Sequence, residues 1–118
     1  MAVRNWTKAL DIKPNSTEVL NNLAWILATS PDPNIRNPSD AIRLAQEACN
    51  AVNSNDPATL DTLAAAFASK GRFADAVETA RTAINLAGDA NQSQLRKTIQ
   101  EHLGFYTQGK PYTEPAPK

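Results

Sequence analysis

His102 and Cys49 are the sole imidazole and the sole thiol of the 118-residue chain. Hydrolytic, redox or metal chemistry would have to be built around them. A serine nucleophile needs a base beside it, and a structural metal needs several nitrogen or sulfur ligands. One histidine and one cysteine supply neither, and a lone thiol closes no intrachain disulfide, so the redox compartment stays open. Cys49 falls on the inward stripe of its helix, where a thiol acts as a small hydrophobe. His102 flanks a helical stripe and reads as a half-buried surface residue. Glu18 and Asp61 could pair with one another, but scattered carboxylates on a solvated face are the plainer reading. The chain reads as a non-enzyme that uses no cofactor and no metal.

The elements that position these residues are helices. Apolar residues make up 42% of the chain but aromatics only 6%. Much of the apolar share is alanine, the best helix former and small enough to let backbones approach. Twelve basic and twelve acidic side chains cancel, so the basic excess of a nucleic-acid binder is missing. No apolar run approaches the ~18 residues of a membrane span, and no signal-peptide pattern opens the chain. The segment therefore reads as soluble, without a stated compartment.

Internal repetition organises the rest. Leu20, Leu23, Ala24 and Leu27 match Leu60, Leu63, Ala64 and Phe67, both sets at the i, i+3, i+4, i+7 spacing of an amphipathic stripe, here type A. A second stripe, type B, occurs in Ala2, Val3, Trp6, Ala9 and Leu10, then in Ala41, Ile42, Ala45, Ala48 and Cys49. It occurs again in Ala76, Val77, Ala80, Ala83 and Ile84. The order is B, A, B, A, B. Asn37-Pro38 and Asp56-Pro57 each offer a capping side chain followed by proline at the first helical position. Asn15 or Ser16 with Glu18 marks the start of the first A helix. Lys70-Gly71-Arg72 makes the turn after the second A helix, while Lys13-Pro14-Asn15 and Ala87-Gly88-Asp89 close B helices. These signals predict helices over 17–29, 38–53, 57–70 and 73–87. Leu95, Ile99, Leu103 and Tyr106 share a stripe that predicts another over 91–107. Beyond Gly109 the proline-rich 109–118 segment has no periodicity and reads as a flexible tail.

Leu60, Leu63, Ala64, Phe67, Gly71, Ala76, Ala80 and Ala83 together resemble the signature of the tetratricopeptide repeat (TPR), over roughly residues 2–88. The resemblance implies an all-α superhelix of antiparallel pairs whose A helices line a concave groove. The domain would occupy 1–108. It divides into a half repeat at 2–16, a repeat at 17–55 with an inserted loop at 30–38, a repeat at 56–89 and a capping helix at 91–107. The insert is visible because Ala41 follows Leu27 by 14 positions where Ala76 follows Phe67 by 9. Its prolines predict a stiff, ordered loop. Because the pattern opens inside a B helix, the chain reads as a fragment of a longer bacterial protein.

In the family, partners contact the A-helix face opposite the packing stripe. Carried onto this chain, that face is Glu18, Asn21, Asn22, Trp25 and Thr29, then Ala58, Asp61, Thr62, Ala65, Ala68 and Ser69. Trp25 is the expected anchor, since tryptophan dominates interfaces. The alternative is that it packs on the preceding B helix or the insert. Asn22 stands where some TPR domains clamp a carboxylate, but Ala58 and Thr62 replace the basic residues that such a clamp needs. The implied function is a protein-interaction module binding a partner peptide in the groove. The alternative is a regulatory or oligomerisation appendage of a larger enzyme, such as a membrane glycosyltransferase-like protein. The unpaired first helix, with Val3, Trp6 and Leu10 uncovered on one flank, further implies a weak homodimer.

Overall fold

The described residues of the computed structural model are 17–53, 55–89 and 91–114. They form five helices and no strand: α1 (Thr17–Thr29), α2 (Pro38–Ala51), α3 (Pro57–Ser69), α4 (Phe73–Asp89) and α5 (Ser93–Thr107). The half repeat at 2–16, and with it the expected homodimer contact, lies outside the described residues. No helix among them is long and apolar enough to cross a membrane.

The two cap-plus-proline start signals act as the sequence suggests, while Asn15 and Ser16 lie outside the described residues. Asn37 Oδ1 accepts from the Asp40 amide at 3.2 Å, and Asp56 Oδ1 accepts from the Ala58 amide at 3.2 Å, each ahead of a proline that has no amide to satisfy. Gly71 ends α3 at φ +85°, with the Arg72 amide on the Phe67 carbonyl and the Gly71 amide on the Ala68 carbonyl. This double bond pattern is a Schellman turn, which needs a left-handed residue. One stop differs from expectation. Helix α4 runs through Gly88 to Asp89, and Asn91 supplies the left-handed turn at φ +60°, sending the Gln92 amide to the Ala87 carbonyl. The insert is bonded along its length. The Asn34 amide meets Asp32 Oδ1 at 2.9 Å, and the Asn37 amide returns to the Leu27 carbonyl at 2.8 Å.

Each helix packs on its neighbours in the chain, and α3 touches all four others. It is consequently buried around most of its circumference, from Pro57 and Leu60 to Phe67 and Ala68. Small side chains make this possible. Ala24, Ala41, Ala45, Ala48, Ala64, Ala65, Ala66, Ala76, Ala80, Ala83 and Ala87 all have 0% exposure. Two buried clusters result. One joins α1, α2 and the middle of α3, and the other joins α3, α4 and α5 around Phe67, Ile99 and Tyr106. Cys49 belongs to the second cluster, with its thiol 3.5 Å from the Thr59 carbonyl.

Tyr106 is 1% exposed, and its hydroxyl has no hydrogen-bond partner among the described residues. Burial holds its phenol protonated far above the ordinary value, and the charges of Asp61 and Tyr112 push the same way. Burial also raises the Cys49 thiol, with the Asp56 carboxylate adding to it. Both groups hold their protons more tightly folded than unfolded. Their contribution to stability is therefore complete below the ordinary values, 9.0 for the thiol and 10.0 for the phenol, and is lost as pH climbs above them. Removing the unpartnered hydroxyl relieves a desolvation cost. We expect Tyr106→Phe to be more stable than the wild type by about 1 kcal/mol in urea. Its melting temperature should also fall less steeply between pH 9 and pH 11, where the phenol otherwise titrates in the unfolded chain.

Candidate functional site

Helices α1, α3 and α5 turn one face each toward a shared cleft of about 290 Å³. From α1 come Asn21, Asn22 and Trp25; from α3 come Ala58, Asp61 and Thr62; from α5 come Leu95, Thr98 and His102. The spacing explains the selection. Positions three and four apart share a helical face, so 21, 22 and 25 stand together, as do 58, 61 and 62, and 95, 98 and 102. Asn21, Asn22, Trp25 and Asp61 thus come together on one cleft. Asn21 Oδ1 is buried without a hydrogen-bond partner among the described residues.

Other expected groove residues do not belong to this face. Ala65 is wholly buried in the cluster with α1 and α2, because α3 is covered on several flanks rather than on one stripe. Ala68 is buried for the same reason. Ser69 is half-buried, and its hydroxyl donates to the Ala66 carbonyl at 2.7 Å. Glu18 is exposed on the first turn of α1 and is not part of the cleft lining.

His102 is not the half-buried surface residue that its stripe suggests. It is 5% exposed, with Nδ1 at 2.9 Å and 3.2 Å from the two carboxylate oxygens of Asp61, which is itself 7% exposed. Asp61 accordingly pairs with His102 rather than with Glu18. An Asp–His pair fixes an imidazole's orientation, as in nucleophilic catalysis. The neighbouring hydroxyls are engaged elsewhere, however: Thr62 donates to the Ala58 carbonyl and Thr98 to the Gln94 carbonyl. Among the described residues no cluster of His, Cys, Asp or Glu could hold a metal ion.

Trp25 is half-buried in the cleft lining, and the preceding helix against which it could also pack lies outside the described residues. Its indole ring lies 5.5 Å from the His102 ring and 5.9 Å from the Tyr112 ring, centroid to centroid. Its Nε1–H donates to Glu114 Oε1 at 3.0 Å. Tyr112 and Glu114 come from the segment that the sequence suggests is a flexible tail. The structure instead lays 111–114 back over the cleft. The reversal starts at Gly109, where φ is +70°: the Lys110 amide bonds the Phe105 carbonyl and the Gly109 amide bonds the Tyr106 carbonyl. That second Schellman turn ends α5 and redirects the chain. Tyr112 then stacks 4.3 Å from His102 and meets Phe105 edge-on at 5.7 Å. The Glu114 amide donates to the Thr29 carbonyl at 2.8 Å, satisfying an acceptor that the end of α1 would otherwise leave open. Tyr112 OH reaches Glu114 Oε2 at 3.4 Å. Burial, then the Glu114, Asp61 and Glu101 charges, raise the Tyr112 phenol, which keeps it a neutral donor at pH 7.

Sequence reasoning missed Tyr112, Glu114 and the role of His102. The available signal was Gly109 placed immediately after the last turn of a helix, which is where a Schellman reversal occurs. Comparisons with protein-family models, with curated proteins and with solved structures return no match.

Proposed function

We propose that this chain is a TPR-type protein-interaction module whose cleft between α1, α3 and α5 receives a segment of a partner polypeptide. The observation that carries the reading is the convergence of side chains from three helices, Trp25 among them, on one cleft. The cleft offers apolar ground at Leu95 and Ala58 and, once Glu114 is displaced, the indole N–H of Trp25. Binding would use a few polar contacts and shape rather than a charge clamp, since neither Ala58 nor Thr62 is basic. Residues 17–89 alternate A and B stripes as a TPR array does, and α5 would cap the final pair with its polar outer face.

A displayed library of random twelve-residue peptides, selected against the full chain, tests the reading. Binders are expected whose signal is lost on Asn22→Arg, which sets a long side chain at a half-buried position of the cleft lining. The helical circular dichroism of Asn22→Arg is expected to match that of the wild type. Selected peptides indifferent to Asn22→Arg and to Trp25→Ala would overturn the assignment.

A further inference from the structure

The segment that closes over the cleft is itself a specimen of what the cleft holds. From Pro111 to Glu114 the chain makes three separate kinds of contact: a ring stacked on His102, a carboxylate on the Trp25 indole N–H, and a backbone amide on the Thr29 carbonyl. None of the three needs the segment to be covalently attached. The aromatic and acidic residues stand two apart, so an extended backbone presents both toward the same side. Tyr112 OH also leans on the same carboxylate, which fixes the pair as a unit.

Resting on the groove reading above, we infer that the partner segment is an extended peptide carrying an aromatic residue followed two positions later by an acidic one. The chain's own Tyr112-Thr113-Glu114 is an internal competitor for that peptide. The ring fills the space between His102, Trp25 and Phe105, and the acid takes the indole N–H. A carboxylate is favoured over an amide there because ionised acceptors make hydrogen bonds roughly twice as strong as neutral ones. The competition is limited in size. A tail leashed by a few residues has an effective concentration on the order of millimolar. A contact of one stacked ring and two hydrogen bonds in the ~0.1 mM range is then closed about ten times as often as it is open, so freeing the cleft raises apparent peptide affinity about tenfold.

The test uses the full-length chain with Tyr112→Ala and Glu114→Ala combined, which leaves the helices intact and releases the segment. The probe is a fluorescein-labelled synthetic peptide of sequence Gln-Gly-Lys-Pro-Tyr-Thr-Glu-Pro-Ala-Pro-Lys, followed by fluorescence anisotropy. The double variant is expected to bind the probe about tenfold more tightly than the wild type does. Probes with alanine in place of the tyrosine or of the glutamate should each lose most of that binding. Trp25→Phe added to the double variant keeps a ring but removes the N–H donor, and should weaken the glutamate probe while leaving the glutamate-to-alanine probe unchanged. Equal binding to wild type and double variant, or equal binding of the alanine probes, would overturn the inference. If library peptides of another pattern bind the cleft in an Asn22-dependent way, the inference fails while the groove reading stands. If no peptide of any pattern does so, both fail. A wild-type dimer that dissociates on Tyr112→Ala/Glu114→Ala would assign the cleft to the tail of a second copy, and would also overturn it.

Discussion

His102→Ala should destabilise the fold by about 3 kcal/mol, the combined cost of a buried hydrogen-bond partner left unsatisfied and of a buried ring removed. Asp61 is 7% exposed and sits on the helix that all four others touch, so its carboxylate has little access to water once the imidazole is gone. The loss has two parts: the buried Asp61 carboxyl left without its hydrogen-bond partner, and the ring against which both Trp25 and Tyr112 lie. His102→Phe separates them, since it restores a ring but no hydrogen-bonding nitrogen. Asp61→Leu combined with His102→Phe removes both hydrogen-bonding partners together and should be far less damaging than the sum of the single changes. Urea unfolding of the four proteins gives the coupling energy directly. An additive cycle would show that the two side chains do not depend on one another.

Phe67→Ala is expected to cost a similar amount, about 3–5 kcal/mol. Phe67 is 7% exposed and is the largest α3 residue of the second cluster, which also holds Ala76, Ala80 and Ala83 of α4 at 0% exposure. Alanines have no side-chain reach with which to fill the space, so the cavity cannot collapse cheaply, and the cost belongs at the upper end of the range. Arg72 also loses the face over which its guanidinium lies, 4.6 Å from the ring centroid. Phe105 provides the contrast. It is 42% exposed, so Phe105→Ala should shift the urea midpoint little while loosening the seat of Tyr112. A domain of this size is stable by only about 5–15 kcal/mol, so either of the two large changes should bring the thermal transition down by many degrees.

How much of this was legible depends on the range of the signal. The helices were, because a stripe of Leu20, Leu23, Ala24 and Leu27 and a cap-plus-proline at Asn37 or Asp56 are local facts that packing then obeys. The position of Trp25 on the cleft side followed from the same periodicity. Ala65 did not, because periodicity identifies one buried stripe and α3 has several neighbours. The Asp61–His102 pair was invisible for another reason. Its members are 41 positions apart, and nothing in either segment announces the other. The folded-back tail rests on Gly109 and on two side chains whose partners lie on α1 and α5, so composition alone favoured a free end.

The alanine interior makes the cleft adjustable. With so many buried positions already at the smallest side chain that carries a Cβ, substitution there by anything but glycine adds bulk, and added bulk between packed helices is relieved by moving backbones apart. Ala65 and Ala66 lie in the cluster that α3 shares with α1 and α2. A single extra methyl at either would act as a shim, altering the spacing between the wall that carries Trp25 and the wall that carries Asp61. The aperture of the cleft is thus set from behind, by residues that do not line it.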